Sequence, residues 1–126
     1  MKLKIKNIKN DSAEYVLKLM QTFNIKDTLN TKHVTNIMEF YDDNKLIGII
    51  NYLYYVVLDY KKLYIRNIYY INEKYLDTMI KQFIIKSKKI YGSIFTNRNH
   101  GNFDKKVIET LLNNKFFGDD YIFLEY

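Results

Sequence analysis

Three β-rich runs follow one another with no helical pattern between them, and that succession limits the chain to folds built on an antiparallel meander. The runs are residues 37–41, 45–58 and 63–71. Asp42-Asp43-Asn44 separates the first two, where short acidic and amide side chains favour a tight hairpin turn. The second run is apolar on both faces, with Leu46, Ile50, Tyr52 and Tyr54 on one and Ile47, Ile49, Leu53 and Tyr55 on the other. Such a strand belongs in the middle of its sheet. Asp59-Tyr60-Lys61-Lys62 is expected to turn the chain into the third run, whose apolar character is broken at Arg66 and Asn67. A buried asparagine needs a hydrogen-bond partner. Asn67 is therefore expected either to bridge an irregularity of the strand or to help build an acceptor site.

After the meander the periodicity changes. Asn72 is placed to cap a helix whose inner face is Leu76, Met79, Ile80, Phe83 and Ile84. Lys86, Lys88 and Lys89 lie near its C-terminal end, where cations suit the helix dipole. A strand over residues 90–96 and the loop Asn97-Arg98-Asn99-His100-Gly101 come next. Asn102 is expected to cap the last helix, with Phe103, Val107, Leu111 and Leu112 as its buried stripe, and residues 121–126 form the final strand. The helix from Asn72 joins two strands that should be parallel neighbours through a right-handed crossover.

The first third of the chain is patterned less strongly. Leu3, Ile5 and Ile8 mark an opening strand. Asp11 or Ser12 can cap a helix carrying Ala13, Val16, Leu17, Met20 and Phe23 on one face, and Asp11 with Glu14 has capping-box spacing. Residues 24–36 read as a loop with one helical turn around residues 27–29. The order is β-α-β-β-β-α-β-α-β, an α/β (α+β) fold with a mixed, mostly antiparallel central sheet flanked by helices. Residues 1–126 are read as one domain, and 48% apolar residues supply its core.

Composition removes several chemistries. The chain has no cysteine, which excludes disulfides, thiolate metal sites and a cysteine nucleophile. Two histidines, His33 and His100, are too few for a histidine-rich metal cluster, and no metal is expected. The N-terminus alternates lysine with apolar residues where a signal peptide needs an unbroken apolar run. No stretch reaches the roughly 18–20 apolar residues of a membrane span. A soluble, cytoplasmic protein is expected. The net charge of +6 is almost all lysine, and the abundance of lysine, asparagine, isoleucine and tyrosine is the bias an AT-rich genome produces. No phosphate-loop lysine motif, Gly-x-Ser-x-Gly elbow or His-Glu-x-x-His is present.

The element order from residue 37 onward, closed by Asn113-Asn114-Lys115-Phe116-Phe117-Gly118-Asp119-Asp120-Tyr121-Ile122-Phe123-Leu124, resembles the acyl-CoA-dependent GNAT N-acetyltransferases. The resemblance covers the last two thirds of the chain well and the first third by element order only. It implies an acetyl-CoA site in the cleft where the strands ending near Tyr70 and beginning near Tyr91 splay apart. Backbone groups of Ile68, Tyr69 and Tyr70 would hold the pantetheine arm, and the N–H groups of Glu73, Lys74 and Tyr75 the pyrophosphate. Asn97 and Asn102 fall in the region that reaches towards that arm in the family.

Three departures stand beside the resemblance. The family's glycine-rich Gln/Arg-x-x-Gly-x-Gly/Ala turn is replaced by Tyr69-Tyr70-Ile71-Asn72-Glu73-Lys74-Tyr75, with no glycine and a shorter loop. Glu73 puts a negative charge where phosphate would sit, partly offset by Lys74. Leu112 occupies the position of the tyrosine that protonates the leaving thiolate in many members, so no catalytic residue is assigned. The family's second helix is nearly gone.

Two functions of different kinds follow. One is N-acyl transfer from acetyl-CoA to an amine acceptor. The other is a catalytically inactive binding protein on the same scaffold, a small phage-type or regulatory factor acting through protein–protein contacts or as a homodimer. A nucleic-acid binder using Lys61, Lys62, Lys86, Lys88 and Lys89 ranks below both, because the element order is wrong for an RNA-recognition sheet.

Overall fold

The structure, a computed structural model, describes residues 3–10, 35–57, 60–89, 92–99 and 103–125. One sheet carries six strands in chain order: β1 (Leu3–Asn10), β2 (Thr35–Asp42), β3 (Lys45–Val57), β4 (Tyr60–Tyr70), β5 (Ser93–Asn97) and β6 (Tyr121–Glu125). Neighbours are antiparallel except β4 and β5, which run parallel. Helix α1 (Leu76–Lys88) makes the crossover between the parallel pair, and α2 (Lys105–Asn113) connects β5 to β6. This is the mixed, mostly antiparallel sheet that the patterning predicts. The helix expected after Asp11, the turn at residues 27–29, His100 and Asn102 lie outside the described residues.

The β2–β3 hairpin turns on Asp43 and Asn44, with φ of 49° and 68°. Two successive left-handed residues match the twist of the strands on either side, and Asp and Asn tolerate that region better than most side chains. β3 is central, with Ile47, Ile49, Ile50 and Tyr52 buried. Gly48 lies where α1 comes down on the sheet. A Cβ there would run into the Met79 thioether and the Tyr69 carbonyl, so only glycine admits this approach of helix to strand.

Asn72 caps the turn ahead of the crossover helix and not the helix itself: its Oδ1 accepts from Lys74 N at 3.1 Å, while the N-cap residue of α1 is Tyr75, which makes no side-chain cap hydrogen bond. A 3-10 turn over Glu73–Tyr75 then leads into α1. Leu76, Met79, Ile80 and Phe83 of α1 are buried and Ile84 half-buried, which is the expected face. They pack against Ile50, Tyr52, Leu63, Ile65 and Ile68 of the sheet.

Two further expectations need correction. Tyr60, Lys61 and Lys62 do not turn the chain but begin β4, because the β3 ladder already runs to Val57 opposite Tyr60. Leu112 is not in the buried stripe of α2; it is 41% exposed, and Thr110 takes the inner position with Val107 and Leu111. Residues three and four apart share a helix face, which places 107, 110 and 111 together and rotates 112 outward.

Candidate cofactor cleft

The site is built where β4 and β5 part. Their parallel pairing runs only from Lys62↔Ser93 to Ile65↔Thr96. On the other side of β4 the ladder with β3 steps from Asn51↔Asn67 to Tyr52↔Ile65, so Arg66 is an extra residue, a β-bulge. A bulge bends its strand and re-aims it, and here it falls where the β4–β5 pairing ends. The fully buried Thr96 seals the junction, its hydroxyl donating to the Ile65 carbonyl at 2.7 Å. Asn67 thus lies at a strand irregularity, as one of its two expected roles required.

Beyond the bulge the predicted residues separate by face. Ile68 is buried in the main core beneath the helices. Tyr69 is buried on the opposite face with Ile37 and Ile49. Period-two alternation puts Asn51 and Asn67 on the face of Tyr69. Asn51 Oδ1 is buried there with no hydrogen-bond partner among the described residues. Glu39, also buried, raises the pKa of Tyr41 by charge and hydrogen bond, after the larger effect of burial.

Tyr70 ends β4, and its hydroxyl donates to Asp104 Oδ2 at 2.6 Å, spanning the cleft from β4 to the start of α2. Asp104, and not Asn102, is the N-cap of α2, accepting from Val107 N at 2.8 Å. The missed signal is a hydrophobic staple. Phe103 precedes the cap and Ile108 follows it at the fourth helical position, and both pack against the core. A depression of about 370 Å³ lies between the two helix starts, lined by Tyr70, Glu73, Asp104, Lys105, Lys106 and Glu109. Apart from Tyr70 and Glu73, these lining residues were not singled out from the sequence.

The helix start meant for pyrophosphate is already engaged. Lys74 N donates to Asn72 Oδ1 and Tyr75 N to the Asn72 carbonyl, each at 3.1 Å. The Lys74 ammonium sits over the Tyr75 ring, 4.9 Å from its centroid. Tyr75 is buried, and its hydroxyl donates to Asp42 Oδ2 at 3.1 Å, tying the turn to the β2–β3 hairpin. Glu73 and Lys74 are exposed. Asn97 is buried at the end of β5, where its Oδ1 accepts from Asn99 N at 2.9 Å in a local turn.

Burial pushes the Tyr70 hydroxyl up from 10.0 to about 12, helped by the hydrogen bond to Asp104 and the charges of Asp104 and Glu73. The folded value lies above the unfolded one. The stabilisation from this proton is therefore complete below about pH 10 and lost as pH rises through about 12. The difference in denaturation midpoint between the native chain and Tyr70→Phe should narrow over that window. A constant difference would show that the phenol proton does not contribute.

A parallel pair joined by a crossover helix, with its pairing ending at a bulge, within a six-stranded, otherwise antiparallel sheet of this order, is the fold of the GNAT N-acetyltransferases. Similarity to solved structures bears this out. An N-acetyltransferase from Staphylococcus aureus Mu50 is 15% identical with a TM-score of 0.65, over 99% of this chain and 98% of that one. A probable acetyltransferase from Staphylococcus epidermidis ATCC 12228 is 11% identical with a TM-score of 0.66, over 98% of each chain. The Campylobacter jejuni N-acetyltransferase PseH, in complex with acetyl coenzyme A, is 12% identical with a TM-score of 0.58, over 98% of each chain. No protein-family model and no curated protein matches the sequence. Among the described residues no helix is long and apolar enough to cross a membrane.

Proposed function

We propose that the chain is a GNAT-type N-acyltransferase that takes acetyl-CoA into the cleft between β4 and β5 and acylates an amine. The observation that carries this reading is that β4–β5 pairing ends at Ile65↔Thr96, beside the Arg66 bulge, while β4 runs on to Tyr70; the reading places a slot along Ile68–Tyr70. An extended pantetheine arm fits such a slot, because strand-edge amides and carbonyls recognise an extended chain by augmentation. The pyrophosphate seat fits less well. Its Lys74 and Tyr75 N–H groups are held by Asn72, and Glu73, Asp104 and Glu109 outnumber Lys105 and Lys106 around the depression. Weak binding is the consequence.

Acetyl-CoA, when bound, supplies an activated acyl thioester. The chain's own residues position the reactants. Ile68 to Tyr70 hold the arm, and the junction sealed by Thr96 fixes the width of the slot. Holding an amine against a thioester lowers the barrier chiefly by proximity and orientation. The amine proton leaves through water, since Leu112 cannot exchange a proton and the Tyr70 hydroxyl is committed to Asp104. Asn97, at the end of β5, borders the arm, and the site uses no metal.

A second reading draws on the same engaged N–H groups: a scaffold that has lost the cofactor and works by binding a protein in the cytoplasm. Calorimetric titration with acetyl-CoA and with free CoA separates the two. For the acyltransferase, heat is released with a dissociation constant on the order of 100 µM. Roughly 1 mM ligand then stabilises the fold by about 1.4 kcal/mol. No heat and no change in melting temperature at that concentration would leave the scaffold-only reading.

A further inference from the structure

We propose that the hydrogen bond between Tyr70 and Asp104 is a latch, which holds the cofactor path shut in the empty chain and has to open before acetyl-CoA can enter. This inference rests on the reading that the pantetheine arm lies along Ile68–Tyr70.

The placement of the pair makes the argument. β4 runs on from Ile65 to Tyr70 without pairing to β5. At the inner end of that stretch the Thr96 hydroxyl ties β5 to the Ile65 carbonyl, and Thr96 is fully buried. At the outer end Tyr70 reaches across to the residue before α2, and its hydroxyl donates to Asp104 Oδ2 at 2.6 Å. Tyr70 shares the face of Ile68, and both pack with the core beneath α1 and α2. An arm running outward along Ile68–Tyr70 to the turn at Glu73–Tyr75 therefore crosses the line from Tyr70 to Asp104.

The two ends of the stretch differ in how they can be released. The Thr96 bond is buried, and breaking it would strand a polar group away from water. Tyr70 is half-buried and Asp104 exposed, so water can replace each partner when they separate. The Asp104 carboxylate also divides its work. Oδ1 accepts from Val107 N at 2.8 Å and caps α2, while Oδ2 alone holds the phenol. Opening the latch leaves the cap in place, so the helix does not unwind with it. The depression of about 370 Å³ that the pair lines receives the ring as it swings aside. A phenol bound to a carboxylate makes a short, charge-assisted bond, which biases the empty chain towards the closed state. Affinity for the cofactor is then reduced by the fraction of molecules that are open.

A double-mutant cycle on acetyl-CoA binding tests this. Tyr70→Phe keeps the ring and removes the hydroxyl. Asp104→Ser keeps a capping oxygen for α2 but is too short to reach Tyr70. Circular dichroism and melting temperature check that each variant is folded. Tyr70→Phe is expected to bind acetyl-CoA roughly five- to tenfold more tightly than the native chain, and to associate faster. In the Asp104→Ser background the same exchange should change nothing, because the bond is already gone. Comparing the two backgrounds also cancels the effect of removing the Asp104 charge on an anionic ligand. A native chain that is silent while Tyr70→Phe binds supports the latch equally. If the native chain binds and Tyr70→Phe binds no more tightly, or gains as much with serine at 104, the latch is overturned and the acyltransferase reading stands. If none of the variants binds at about 1 mM ligand, the acyltransferase reading fails and the latch falls with it.

Discussion

Phe83→Ala is expected to lower the unfolding free energy by about 3–5 kcal/mol. Phe83 is 1% exposed and sits in the middle of the inner face of α1. Its ring meets Tyr52 of β3 edge-on, with centroids 5.4 Å apart and planes at 72°. Truncation removes that contact and leaves a void between helix and sheet that close-packed neighbours cannot fill. A domain of this size has only about 5–15 kcal/mol of net stability, so the loss is a large share of the total. Ile85 on the same helix is 53% exposed, and Ile85→Ala should stay within about half a kilocalorie per mole. Chemical denaturation of both variants measures the contrast. Equal effects would mean that the helix face has been assigned wrongly.

The contrast shows which parts of this fold can be read locally. The inner face of α1 repeats every three to four residues with no competing pattern, so Leu76, Met79, Ile80 and Phe83 are legible from spacing alone. The hairpin is legible because Asp43-Asn44 is one of few pairs that accept two left-handed residues. The parallel pairing of β4 and β5 follows from having a helix between them.

Where two candidates compete at short range, the reading fails. Asn102 and Asp104 are both good caps, and the choice depends on Phe103 and Ile108 packing against the core. Leu112 and Leu111 are equally apolar, and only the phase set by Val107 decides which one faces inward. Residues 60–62 look polar enough for a turn, yet the length of the β3 ladder draws them into β4.

The site is less legible than the fold for a further reason. Its defining contact, Tyr70 with Asp104, joins residues 34 positions apart, and no local pattern announces it. The bulge at Arg66 could be suspected from polar residues in an apolar strand, but its coincidence with the end of β4–β5 pairing is a property of three strands together. The missing glycines of the phosphate turn were visible in the sequence. The capping role of Asn72 was visible too; what was not is that its cap falls on a separate 3-10 turn, where it takes the N–H of Lys74, one of the groups meant for the phosphate.

That occupied N–H leads to the second large effect, a gain of cofactor binding. In Asn72→Gly/Glu73→Gln, removing the Asn72 side chain frees the Lys74 N–H, and removing the Glu73 charge ends its repulsion of phosphate. Asn72 is in extended backbone, φ −151°, which glycine adopts without strain, and at an N-cap the exchange costs only a few tenths of a kcal/mol. A hydrogen bond from an N–H to a charged phosphate contributes about 1.5–3 kcal/mol. Loss of the like charge at the helix start adds about 0.3–1 kcal/mol. The double variant should bind acetyl-CoA at least about tenfold more tightly than the native chain. Glu73→Gln alone should give a smaller gain, and Lys74→Ala a modest loss. Calorimetry on the four proteins reads these differences directly. If the native chain binds acetyl-CoA and neither the double variant nor Glu73→Gln changes the affinity, the pyrophosphate lies elsewhere, against Lys105 and Lys106 at the start of α2. The acyltransferase reading then stands without this seat. If the native chain is silent and the double variant binds, Asn72 and Glu73 are what keep the cofactor out.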